Sequence, residues 1–302
     1  MGWGARSSVE NPAVASIRDG ADVFLKPEER TMEQVTLDRM ELQYEVSGTG
    51  EPVLLISTGP IADSFLPFVH QSVLADHYRL IRYRQRRLDA STAAPVPVGF
   101  AEHAADAAAL LGHLGIGRAH VVGHSTGAAI ALQLAADHPE IVHTLTLLEP
   151  PLLSAPSAGD FLELAQPALA AYGAGDRERA MKSFMAMVSS LDWETCRVLL
   201  DAHVPGGAEQ ALRDADNFFE SYLPALSTWQ FGASQAPAVA QPVLSVLGKD
   251  TQPLFVESHE LLHVWLPQVE DCMIEGVAHL LHLQRPEPVA RGVAGFLARH
   301  PM

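Results

Sequence analysis

The chain has 302 residues, of which 48% are hydrophobic and 19% charged, a balance that suits one large or two small globular domains and excludes a disordered chain. Its formal net charge of −16 opposes binding to nucleic acid and to anionic membranes. The two cysteines, Cys196 and Cys272, lack metal or redox spacing, no apolar run is long enough to span a bilayer, and residues 1–10 have no apolar signal core, so a soluble cytoplasmic protein with reduced thiols is expected.

Residues 1–33 mix Gly, Ser, Pro and charge without periodicity and are expected to form an N-terminal extension. Residues 34–39 and 41–47 alternate like the two arms of a hairpin. Residues 53–56 are continuously apolar, as a buried parallel strand should be, and residues 80–83 form a weaker strand. A helix is expected over 100–114, a short buried strand ending at 124, a helix over 128–137 and another strand over 145–148. Residues 151–236 contain no strand-like run and are rich in Ala, Leu, Met and Phe at helical spacing. Strands at 242–247 and 271–274 and a helix at 288–299 close the chain. Alternation of buried strands with helices predicts a doubly wound, mostly parallel α/β sheet. Residues 34–150 and 237–302 would form its core domain, and 151–236 a helical cap inserted between two strands.

The most informative stretch is Gly123-His124-Ser125-Thr126-Gly127, a G-x-S-x-G pentapeptide with a strand before it and a helix after it. A serine on so tight a strand-to-helix turn is held in a strained backbone, and flanking glycines remove side chains that would collide. Its hydroxyl projects from the sheet, with helix N-terminal N–H groups aimed at the reacting centre. Ser125 is therefore the expected nucleophile. A serine hydroxyl needs a base within hydrogen-bond reach. Of the 14 histidines, His279 follows the last strand and precedes the closing helix, with His282 as its rival.

The chain resembles a capped α/β-hydrolase from about residue 34 to the C-terminus. The resemblance rests on the pentapeptide, on Gly276-Val277-Ala278-His279 before the closing helix, and on the position of the insertion. It implies a Ser-acid-His triad in that chain order, with His279 in a loop above the elbow. Two carboxylates compete for the acid. Asp250 lies after strand 242–247, where most of the family carries it, but the usual spacing from Gly248 lands on Thr251. Glu149 ends strand 145–148, the place used by some dehalogenases and lactone hydrolases of the family, and is favoured over Asp250. Glu149 could otherwise brace the junction with the cap, and Asp250 could cap the helix near Phe255. The implied oxyanion donors are the N–H groups of Thr126 and of Gly59, in a loop reading Ser57-Thr58-Gly59-Pro60 where the family usually has His-Gly. The chain also departs from the family at Arg84, Arg87 and Asp89, which replace Asp, Gly and Gly.

Met181, Phe184, Met185, Met187, Trp193, Phe218, Phe219, Tyr222, Trp229 and Phe231 supply apolar bulk to the insertion, mostly as its own core and in part as a pocket wall. The basic run Arg82, Arg84, Arg86 and Arg87 reads first as a solvated stretch with local acidic partners, and second as a seat for a substrate carboxylate. The leading function is a serine hydrolase of a hydrophobic carboxylic ester or lactone. The alternatives are a C–C bond hydrolase of a diketone and a non-catalytic ligand-binding member of the fold. No metal or organic cofactor is expected. The expected partner is a small hydrophobic substrate, with no nucleic acid and no membrane, and with a homodimer compatible with the sequence.

Overall fold

A computed structural model describes residues 32–37, 40–86 and 97–302. Residues 1–31, most of the expected extension, and the run 87–96 with Arg87 and Asp89 lie outside the described residues.

Among the described residues, eight strands form one open sheet: β1 (Glu33–Leu37), β2 (Met40–Ser47), β3 (Glu51–Ile56), β4 (Tyr78–Arg84), β5 (Ala119–His124), β6 (Val142–Leu148), β7 (Val243–Gly248) and β8 (Val269–Ile274), in the spatial order β1-β2-β4-β3-β5-β6-β7-β8. The first two pairings, β1 with β2 and β2 with β4, are antiparallel. Every later pairing is parallel. Burial follows from this topology. Central β5 and β7 are buried at every position, because parallel strands are covered on both faces. Edge strand β8 buries only Ile274 fully.

The described helices, in chain order, are α1 (Leu66–Val69), α2 (Ser72–Ala75), α3 (Phe100–His113), α4 (Thr126–Asp137), α5 (Ala158–Gly173), α6 (Arg177–Ser189), α7 (Trp193–His203), α8 (Gly207–Arg213), α9 (Ala215–Asn217), α10 (Leu223–Thr228), α11 (Pro253–Trp265), α12 (Leu281–Gln284) and α13 (Pro286–Arg299). A π-helical turn, Phe218–Tyr222, joins α9 to α10. One apolar core joins α3, α4, α11 and the helices between β6 and β7. A second lies across the sheet, where Phe65, Phe68 and Leu74 meet Val289, Val293 and Phe296 of α13. Among the described residues, no helix is long and apolar enough to cross a membrane.

Two features of this sheet place a site. Chain connections leave β3 towards β4 on one side and return to β5 on the other, so the loops after β3 and β5 part around a crevice. In open α/β sheets ligands bind at such a reversal, outside the carboxyl ends of the strands. The loops after β6, β7 and β8 open on the same edge because their strands are parallel.

Candidate active site

Ser125 follows β5 directly and precedes α4, with φ 55° and ψ −123°. This is a costly conformation for a residue with a β-carbon and persists only when the surroundings impose it. They do so here. The Ser125 N–H donates to the Leu148 carbonyl at 2.9 Å, and the Ser125 carbonyl accepts from Ala128 N–H at 2.9 Å. The two glycines are sterically required. A β-carbon on Gly123 would lie 2.3 Å from the Gly127 carbonyl oxygen, and one on Gly127 would lie 2.2 Å from that of Ile56.

Glu149 sits one residue past β6 and also has a positive φ, 48°. Its carboxylate is buried, 1% exposed, and is met by three donors. Gly248 N–H donates to Oε1 at 2.8 Å, and the Thr251 hydroxyl donates to Oε2 at 2.9 Å. The third contact, 2.7 Å, joins Oε2 to Nδ1 of His279. Thr251 thus stands at the spacing where the family's acid is usual, and there it supports a carboxylate from the neighbouring strand. Asp250 is exposed. Its N–H donates to the Val277 carbonyl at 3.0 Å. The cap position of α11 falls on Gln252 without a side-chain capping bond, so Asp250 does not cap that helix.

The His279 ring is clamped. It stacks on Phe255 of α11 with centroids 4.0 Å apart and planes 15° apart. Its carbonyl oxygen accepts from Nε2 of His124 at 2.9 Å. The second residue of the elbow therefore holds the loop that carries His279. His282 packs against Phe65 and His124 and is fully buried. Burial pushes the Glu149 carboxyl up, while Gly248 N–H and the Thr251 hydroxyl pull it down. Burial pushes the His279 imidazole below its ordinary range. Both shifts disfavour charge in a dry site, the usual effect of desolvation. The hydrogen bond between the two groups opposes them.

Gly59 N–H donates to Thr126 Oγ1 at 2.9 Å, and the same oxygen lies 3.3 Å from Thr58 Oγ1. The amide expected to face an oxyanion is engaged by a hydroxyl at rest. Tyr222 covers the same loop. A β-carbon on Gly59 would lie 2.6 Å from Tyr222 Cγ. The Tyr222 hydroxyl donates to Gln85 Oε1, and Gln85 Nε2 donates to the Ser57 carbonyl at 2.6 Å.

Ser125 and His279 line one narrow cavity of about 30 Å³. Phe184, Met185 and Phe218, named from the sequence, form part of its wall. Phe161, Val188, Leu223, Leu226 and Phe255 join them and were not singled out by sequence. Only the i, i+3, i+4 spacing between Phe184, Met185 and Val188 on α6 could have pointed to Val188. Met181 is buried but is not among the lining residues, and Tyr222 serves the Gly59 loop. The basic run has local partners: Arg82 pairs with Glu45 and Asp63, Arg84 with Asp63, and Arg86 with Asp106. Those three guanidinium groups face protein carboxylates, which takes away the motive for a substrate carboxylate there.

A family model described as the alpha/beta hydrolase fold matches residues 51–286. A chain from Agrobacterium fabrum that carries the provisional name carbamate hydrolase RutD is 24% identical over 82% of this chain and 94% of its own length. Rhodomycin D methylesterase DnrP of Streptomyces peucetius is 39% identical over 121 residues, 38% of this chain and 40% of that one. Among solved structures, one titled Est816, an N-acyl homoserine lactone degrading enzyme, superposes with a TM-score of 0.68 at 22% identity, covering 87% of this chain and all of that one. With the matched segment spanning most of the chain and the sheet carrying its elbow after β5, the protein belongs to the α/β hydrolase fold family.

Proposed function

We propose that the protein is a serine hydrolase of hydrophobic carboxylic esters, lactones included, with Ser125 as nucleophile, His279 as base and Glu149 as the acid that orients it. The observation that carries this reading is the 2.7 Å contact between His279 Nδ1 and Glu149 Oε2, buried behind an apolar cavity whose wall includes Ser125. Relatives named as a methylesterase and a carbamate hydrolase also act, by their names, at an acyl carbon bonded to a heteroatom.

In the reaction, Ser125 Oγ attacks the acyl carbon as His279 Nε2 takes its proton. Glu149 accepts the Nδ1–H, fixes the tautomer and stabilises the imidazolium. The proton then passes to the leaving alkoxide, the alcohol departs, and the acyl group stays on Ser125. Water attacks next, again with His279 as base, and the carboxylic acid leaves. The oxyanion takes the Thr126 N–H directly. Gly59 N–H serves as the second donor once it exchanges Thr126 Oγ1 for the substrate oxygen, a swap of one hydrogen bond for a charge-assisted one. The apolar wall favours an acyl or alcohol group without charge.

An activated fluorophosphonate should label Ser125, and Ser125→Ala should lose the label and about 10³-fold or more of ester turnover. Lengthening an alkyl ester series should raise kcat/KM by up to about 1 kcal/mol per methylene until the cavity is full. A panel of esters, lactones and a diketone then ranks bond types. Labelling at another serine refutes the assignment, and turnover of the diketone alone replaces it with C–C hydrolysis.

A further inference from the structure

The run His259-Glu260-Leu261-Leu262-His263 lies on α11 and follows the pattern H-E-x-x-H, whose two histidines share a helix face and whose known use is to hold zinc. The third candidate ligand lies eight positions beyond His263, on the strand that follows α11. Beside the two imidazoles stands Asp271 of β8. Nε2 of His263 lies 2.6 Å from Asp271 Oδ1, and Nε2 of His259 lies 3.4 Å from the same oxygen. One ligand atom from each residue lies within 4.8 Å of the other two.

The supporting geometry is built into the sheet. Ser245 and Asp271 are register partners on β7 and β8, so they point to the same face. Ser245 is buried, 1% exposed, and its hydroxyl lies 2.8 Å from Nδ1 of His259. Holding Nδ1 in this way turns Nε2 of His259 towards Asp271, the outer-shell role that metal-bound imidazoles require. One helical turn and one pair of facing strand residues thus converge two nitrogens and one oxygen on a point.

We propose that His259, His263 and Asp271 bind one divalent ion of the zinc class, with water completing the coordination. Two imidazoles and one carboxylate suit zinc over calcium or magnesium, which prefer all-oxygen sites. The ion takes the place of the direct contact between His263 Nε2 and Asp271 Oδ1. It ties α11, whose first turn stacks Phe255 on His279, to β8, whose following loop carries His279. The proposal is independent of the hydrolase reading, because none of the three residues lines the cavity.

The test is calorimetric titration of chelator-treated protein with zinc chloride, with cobalt(II) absorbance as a second probe of the ligand field. The expected result is one equivalent bound and a melting temperature that rises with zinc concentration. His263→Ala and Asp271→Asn should each weaken the site by about tenfold or more, while His138→Ala, remote in sequence and on another surface helix end, leaves it unchanged. If His263→Ala perturbs folding, Asp271→Asn decides, since it keeps shape at a half-exposed position. Unchanged affinity in Asp271→Asn, or no saturable equivalent in the parent, overturns the proposal and leaves adventitious histidine binding.

Discussion

At the scale of single residues, the acid of the proposed triad is the informative assignment. Glu149 holds three donors and Asp250 is exposed. Glu149→Gln keeps the shape and removes the charge, so kcat should fall by about 10²–10⁴-fold with folding retained. Asp250→Asn should stay within about tenfold of the parent, since that side chain is solvated. Turnover and melting temperature of the two variants check this, and a dead Asp250→Asn beside an active Glu149→Gln would reverse the assignment. The pH profile is a second check. His279 must be neutral to accept the serine proton, so activity falls as pH drops through its pKa. Burial places that pKa below the ordinary 6.5, and the acid limb of kcat/KM should lie below that value. The Glu149 charge favours the imidazolium, so its loss in Glu149→Gln should move the limb of the residual activity to still lower pH. A limb that moves upwards instead contradicts Glu149 as the partner.

At the scale of elements, the helices between β6 and β7 reach the edge that carries the proposed site through Tyr222. Its ring packs on Gly59, and its hydroxyl closes a chain through Gln85 to the Ser57 carbonyl. Gln85 is 1% exposed, so Tyr222→Phe strands its buried Oε1, at a cost of about 1–3 kcal/mol. Melting temperature should fall, and kcat should fall more than KM rises, because the loop carrying Gly59 loses its brace while the cavity wall stays intact. Equal kcat in the variant would separate the insertion from the chemistry. The π-helical turn at Phe218–Tyr222 contributes on both sides of this contact: Phe218 faces the cavity and Tyr222 faces the loop. An extra residue in a helical turn shifts the phase of the faces, and such turns recur at functional sites.

At the scale of the whole molecule, buried imidazoles couple stability to pH. His103, His124, His279 and His282 are all lowered by burial. Below about 6.5 the unfolded chain takes up protons that the native state refuses, so the unfolded state binds more protons and stability falls as pH drops. For His103 this loss runs from its ordinary 6.5 down to about 3. Neither ring nitrogen of His103 has a hydrogen-bond partner among the described residues, and the ring stacks on Tyr222 with centroids 5.1 Å apart. His103→Phe should therefore raise the melting temperature more at pH 5 than at pH 7.5. An equal shift at both values would show that the imidazole is not what titrates.

Local pattern determined much of this protein. Continuous apolar runs fixed the parallel strands, and the glycines of residues 123–127 fixed the turn, because burial on two faces and backbone collision are properties of short segments. The helical character of 151–236 was legible for the same reason. Ser125, His279 and the two rival carboxylates could be named from chain order within a resembled family. What adjacency in the sequence could not carry was distance across strands. Only the parallel packing of β6, β7 and β8 brought Glu149, Thr251 and His279 together, 102 and 130 positions from Glu149 along the chain. The same holds for the Thr126 hydroxyl on Gly59, for Tyr222 over the Ser57 loop, and for Asp271 beside the two histidines of α11. Each is a contact between elements, and its energy depends on burial and direction that exist only once the sheet has closed around them.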